Sequence, residues 1–407
     1  MRINSTYNIS FKGYDAAPIK NLYMFSFIDR GQENIRRKLN EIGKTEGFEA
    51  SIEENGKLYK GEEKPSEETH IAYKWAQDNK IIIDSQDSRY VLNPANQRNH
   101  GYLQGKLDKF LQLRRKESTL NWAGGNIYLG KKPDGEKYIL IGNDVILDNS
   151  IKEYLKDIDC WYGNDRDIYN FEKSDDKKEE KLDFYSKSEQ PRPRKKEFKT
   201  KQKFYAEKVK EMISEDFDVK KENIFVVPQQ IFHIDMFLRP IGYPYILVNT
   251  EEKAKELVSD NLGYSEKESD IRLYTRLYYD QLRKDNKGIT TKAVINSLKK
   301  QGFIPIEIGG IFGMDGMANF MNAIVNKHED GTITYITNSS ECEREDYVEL
   351  QKRFDKQLRE NVPNLRDTHY IYAGRAGQIN LMMESLMENS GGLHCMVCEE
   401  PNFEVWA

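Results

Sequence analysis

Residues 292–308, KAVINSLKKQGFIPIEI, hold the reading that decides the fold class. Lys292–Gln301 has helix-like spacing, and Phe303–Ile308 follows at once as a short apolar strand. The same alternation extends outward in both directions. Downstream, Ala323–Asn326 and Ile333–Thr337 read as a hairpin around Asp330-Gly331. Upstream, Ile224–Val227, Ile231–Leu238 and Tyr245–Asn249 read as strands. Asn126–Leu129 and Tyr138–Ile141 form a second hairpin, turned by Pro133-Asp134-Gly135. Further towards the N-terminus come a helix over Leu107–Leu113, a strand over Lys80–Ser85, a helix over Glu33–Ile42 and a strand over Asn21–Ile28. Strands interleaved with helices along the whole chain predict an α/β architecture.

The 407 residues suggest by length two or three domains of about 150 residues each, with one large α/β domain, 1–407, also allowed. Lys and Arg number 62 against 67 Asp and Glu, a formal charge of −5. That balance excludes a uniformly basic nucleic-acid binder and leaves no strong steering field. No run of about 18 apolar residues occurs, so no membrane span is expected. Met1–Gly13 lacks a basic stretch followed by an apolar one, so no secretory signal is read. Four cysteines (Cys160, Cys342, Cys395 and Cys398) are too few for a disulfide scaffold, and reduced thiols in a cytoplasmic setting are the expectation.

Two stretches interrupt the alternation. Residues 160–203 include a dense Lys/Glu/Asp block from Glu172 and the run PRPRKK at 191–196. They read as a charged surface insertion or long solvated loop, or else as a basic docking tail for an acidic partner. Within Glu251–Lys287, Ile271, Leu273, Leu277 and Leu282 have the spacing of an amphipathic helix packed on the core.

Four segments carry side chains with chemistry: Trp75-Ala76-Gln77-Asp78, Asn121-Trp122-Ala123-Gly124-Gly125-Asn126, Phe232-His233-Ile234-Asp235, and Ser390-Gly391-Gly392-Leu393-His394-Cys395. On a strand, His233 and Asp235 share a face, and burying both requires a partner or a purpose. A structural His–Asp pair fits that pattern too. Gly391-Gly392 allows close approach beside Cys395, which is either a small buried hydrophobe or a nucleophile. On a strand His394 faces away from Cys395, so the base is expected elsewhere, with His233 the best candidate. Cys395 and Cys398 also form a C-x-x-C, but too little chain follows for a redox helix, and no second ligand pair suggests zinc. Neither common phosphate-loop pattern occurs around Gly124-Gly125. Asp78 alone suits a surface or capping carboxylate.

Taken in order, WAQD, WAGGN, FHIDMFLRPIG, Asn319-Phe320-Met321-Asn322 and GGLHC followed by Glu400-Pro401 resemble the guanidine-modifying, or pentein, superfamily, notably its agmatine and peptidylarginine deiminases. The resemblance implies a pseudo-fivefold propeller of ββαβ modules with a central active site. It implies Cys395 as nucleophile, His233 as acid and base, and Asp235 and Asp78 as guanidinium-binding carboxylates. Trp75, Trp122, Gly125, Asn126 and Asn322 would line the substrate. No metal or organic cofactor is implied, and the partner would be a guanidino small molecule or an arginine-containing peptide or protein, with neither nucleic acid nor membrane. Gln77 stands where the family carries arginine, and Ala123 where agmatine and arginine deiminases carry glutamate. An amidinotransferase or a silent arginine-binding module are the alternatives.

Overall fold

A computed structural model of the chain describes residues 13–25, 30–54, 57–61, 81–85, 88–95, 107–159, 195–231, 233–258, 268–285, 289–313, 317–339, 345–371, 392–394 and 397–406. One connection recurs in five sheets among these residues: an antiparallel strand pair, a helical crossover, and a third strand parallel to the second. Ile127–Lys131 pairs antiparallel with Lys137–Gly142, helices Asn143–Asp157 and Lys195–Phe217 follow, and Ile224–Val227 returns parallel to the second strand. Ile81–Asp84, Arg89–Asn93 and Arg114–Glu117 repeat the pattern around helix Leu107–Phe110. So do Leu238–Pro240, Tyr245–Asn249 and Ile304–Ile308, and again Ile324–Lys327, Ile333–Asn338 and Leu365–Ile371. The fifth unit joins the two ends of the chain. Val397–Pro401 pairs antiparallel with Ile19–Phe25, helix Arg30–Glu46 follows, and Glu49–Glu54 runs parallel to Ile19–Phe25. Parallel neighbours need a long crossover, which is why a helix stands inside every unit.

Local chemistry explains the two hairpins read from sequence. Gly135 and Gly331 both adopt φ +83°, where a side chain would be strained. Asp134 Oδ1 accepts the Glu136 N–H, and Asp330 Oδ1 accepts the Thr332 N–H, each at 2.9 Å. The deciding stretch folds as read: helix Thr291–Lys300 buries Val294 and Leu298, Thr290 Oγ1 accepts the Ala293 N–H, and Ile304–Ile308 follows as a strand.

Four expectations need correction. Ile231–Leu238 is not one strand, since Ile234–Met236 is a 3₁₀ turn and only Leu238–Pro240 is extended in a sheet. The Ile234 N–H is taken by Asn126 Oδ1 at 3.0 Å, so it makes no ladder bond. The Leu107–Leu113 helix stops at Phe110, and the wholly charged Arg114–Glu117 forms a strand that its composition does not announce. In helix Glu268–Asp285, Leu273 and Leu277 are exposed, while Ile271, Thr275 and Tyr279 form the buried face. There Thr275 Oγ1 accepts the Gly313 N–H (3.2 Å) and Tyr279 donates to the Ile311 carbonyl (2.9 Å). Finally, 195–203 is no loop. It opens the helix Lys195–Phe217, with Phe198 buried against Tyr154 and Tyr205. Residues 160–194 lie outside the described residues. No described helix is long and apolar enough to cross a membrane.

Candidate active site

The first strands of four units are preceded, within five residues, by the side chains singled out above. Gly125 and Asn126 precede Ile127, His233 and Asp235 precede Leu238, Asn322 precedes Ile324, and His394 precedes Val397. These strand starts meet around one carboxylate. Asp235 is fully buried. Its Oδ2 accepts from Asn322 Nδ2 at 3.0 Å and lies 3.0 Å from His394 Nδ1. Its Oδ1 has no hydrogen-bond partner among the described residues.

The free oxygen faces a glycine. A Cβ placed on Gly125 would sit 2.8 Å from Asp235 Oδ1 and 2.8 Å from His233 Nδ1, closer than any methyl group tolerates. The missing side chain therefore lets the Gly124–Asn126 turn lie directly against both groups. Asn126 fixes this approach, its Oδ1 accepting the Ile234 N–H and Gln229 Nε2 (2.9 Å). Although His233 and Asp235 do not lie on a strand, the extended His233 and the following 3₁₀ turn still bring both to Gly125.

Behind the carboxylate runs a buried polar chain. His394 Nε2 lies 3.8 Å from Glu399 Oε1, which accepts from Arg239 Nη2 at 3.3 Å. Glu399 Oε2 accepts the Tyr14 N–H at 2.8 Å. The His394 ring stacks on Tyr128, with centroids 5.8 Å apart, and the Arg239 guanidinium sits over the same tyrosine ring.

Burial dominates the electrostatics. It raises the Asp235 carboxyl to about 8, although the Asn322 hydrogen bond and the Arg239 charge pull it down. It lowers the His233 imidazole to about 3. Glu399 is raised by burial too, with Arg239 opposing. At neutral pH these shifts place a neutral imidazole beside a carboxyl that a cation would convert to carboxylate.

The structure brings together His233, Asp235, Gly125, Asn126 and Asn322. Asn126 and Asn322 hold the turn and the carboxylate. Trp122 goes elsewhere: its ring is buried on Phe217, 5.2 Å between centroids, in a hydrophobic cluster. Trp75, Asp78 and Cys395 lie outside the described residues. Glu399 and Arg239 are additions that sequence reasoning missed, and it singled out His394 but turned it away from the site. The error over His394 lay in assuming a strand, which begins only at Val397. The signal for Arg239 is a charge inside an otherwise apolar run, Met236–Gly242. Cys398 is buried within that strand, where a redox C-x-x-C would need a helix. Among the described residues no group of three His, Cys, Asp or Glu side chains is arranged to hold a metal ion.

No family model and no curated protein matches the sequence. Among solved structures, the chain is similar to the agmatine deiminase of C. jejuni, with 12% identity over 96% of each chain and a TM-score of 0.47. It is similar to a substrate-bound variant of that enzyme, with 12% identity, 96% of each chain and a TM-score of 0.45. It is also similar to the agmatine deiminase of Enterococcus faecalis, with 10% identity, 96% of each chain and a TM-score of 0.42.

Proposed function

We propose that the chain is a guanidine deiminase, converting an arginine-type guanidino group to a ureido group and ammonia. The observation that carries this reading is the buried Asp235, clamped on Oδ2 by Asn322 and His394 while Oδ1 faces the bare side of Gly125 beside His233. A guanidinium is a permanent planar cation and a charge-assisted donor to such an oxygen. The five repeated units support a propeller with its site where their first strands begin. The unit that begins at Ile81 supports Asp78 by position: it precedes Ile81 by three residues, as Asp235 precedes Leu238. Cys395 precedes Val397 by two and is bonded to the buried His394.

In this reading neutral His233 takes the Cys395 proton, and the thiolate adds to the guanidinium carbon. The imidazolium gives that proton to the departing nitrogen as the C–N bond breaks, releasing ammonia. His233 then deprotonates a water that attacks the thiouronium carbon, and C–S cleavage regenerates the cysteine. One water is consumed, and one ammonium and one ureido product leave. Asp235 and Asp78 orient the fork of N–H groups.

Ala123, just before the Gly124–Asn126 turn, offers no carboxylate for a small cationic substrate. Peptidyl-arginine, which gains contacts outside the cleft, is therefore expected to be preferred over agmatine. The test is to incubate the protein and Cys395→Ser with agmatine, arginine and a blocked arginine peptide, reading ammonia and ureido product. Turnover by the parent alone is expected. No ammonia from any substrate sinks the deiminase reading, and better turnover of agmatine sinks the peptide preference.

A further inference from the structure

We infer that His394 is a positioning residue: it fixes which oxygen of Asp235 faces Gly125, and it ties that carboxylate to the strand start bearing Cys395. The inference rests on the guanidine-binding reading of the site.

A carboxylate on a short side chain has a broad, roughly two-fold torsion at its end. One donor leaves the group able to swing. Two nitrogens converge on Asp235 Oδ2, the donor Asn322 Nδ2 at 3.0 Å and His394 Nδ1 at 3.0 Å, which donates in its Nδ1–H tautomer, and they leave Oδ1 as the oxygen for a ligand. The two donors also hold each other, since the His394 N–H donates to the Asn322 carbonyl at 3.4 Å. Three strand starts thus close a triangle. The imidazole is itself held in place by the Tyr128 ring and by Glu399 Oε1 near Nε2. Among the described residues the titratable and charged groups facing it include Asp235, Glu399 and Tyr128 from strand Ile127–Lys131, with Arg239 from strand Leu238–Pro240 bound to Glu399 and lying over the same Tyr128 ring. A hydrogen bond donated from Nδ1 would favour the charged form of the Asp235 carboxyl, in the same sense as the Asn322 bond.

The test uses Cys395→Ser as parent, so that ligand binds without turnover. Affinity for agmatine and for a blocked arginine peptide is measured by calorimetry from pH 6 to pH 9. Removing the donor with His394→Leu is expected to weaken binding about 10–100-fold, the loss of one charge-assisted hydrogen bond, and to move the rise of affinity to higher pH. His394→Asn places an amide nitrogen where Nδ1 was and is expected to bind like the parent. His394→Gln places it where Nε2 was and is expected to bind like the Leu variant. If the Leu variant does not fold, the Asn and Gln pair carries the test. Equal affinity and an unchanged pH profile in the Gln or Leu variant overturn the inference alone. A parent that binds neither ligand overturns the reading of the site, and this inference with it.

Discussion

Among the described residues two histidine–carboxylate clusters stand in contrast, and the contrast shows what makes one of them a site. In the first, Asp235 is held on one oxygen while the other faces a glycine. In the second, each oxygen of Glu46, at the end of helix Arg30–Glu46, faces a histidine nitrogen. Oε2 accepts from the Thr334 hydroxyl and lies 3.0 Å from His328 Nε2, and Oε1 lies 3.7 Å from His369 Nε2. The Glu46 carbonyl accepts from Asn326 Nδ2 at 3.0 Å as well. Residue types are alike, but the coordination is not. Glu46 staples a helix end to the sheet of Ile324–Lys327, Ile333–Asn338 and Leu365–Ile371. Asp235 keeps an unspent oxygen in a place that water leaves, and a buried unsatisfied acceptor is retained against a free-energy cost.

The contrast breaks most sharply at Asp235. Asp235→Asn is expected to lower kcat/KM at least about 1000-fold, since both the charge and the orientation of the substrate are lost. Stability should move the other way. Burial raises the folded Asp235 value above its unfolded 3.8, so folding retains a proton there. That contribution is complete below the unfolded value and is lost as pH rises through about 8. The Asn variant escapes the loss and is expected to melt higher than the parent at pH 9. Equal melting curves at that pH would show that the carboxyl is not buried as described.

Gly125→Ala comes next. The added methyl would strike both Asp235 Oδ1 and His233 Nδ1 at 2.8 Å. Activity is expected to fall about 100-fold, the scale of a 1 Å misplacement, with far-ultraviolet circular dichroism unchanged. An active Ala variant would move the ligand away from this face.

A pH profile of the parent sharpens the electrostatic side. Guanidinium binding needs the Asp235 carboxylate, so kcat/KM is expected to climb up to about tenfold per pH unit from pH 6 and to level near 8, where the group titrates. His233, lowered to about 3, contributes no limb in that range. A flat profile between pH 6 and pH 8 would contradict a raised Asp235.

The smallest effect on activity is expected at the second cluster. Glu46→Gln should leave kcat/KM within about twofold while lowering stability by about 1–3 kcal/mol, the scale of disturbing a buried hydrogen-bonded acceptor. A large loss of activity with little loss of stability would reverse the roles given to the two clusters.

The α/β class, both Asp-Gly hairpins and the helix–strand pair at 292–308 were legible along the chain, because these depend on local spacing and on turn residues whose chemistry is short-range. The sequence also marked His233, Asp235, Gly125 and Asn126, since polar groups and bare glycines in apolar surroundings are conspicuous in one dimension, whereas Asn322 was marked only through the family resemblance. Tertiary structure alone decided how they meet. The strand expected at Ile231–Leu238 became a turn because Asn126, 108 residues away, takes the Ile234 N–H. His394 came to Asp235 across 159 residues, a pairing no local pattern encodes. Trp122 went to the core because Phe217 offered a face there. The long-range hydrogen bonds and close contacts that make a carboxylate useful are set by which strand starts converge, and that convergence exists only once the chain has closed Val397–Pro401 onto Ile19–Phe25.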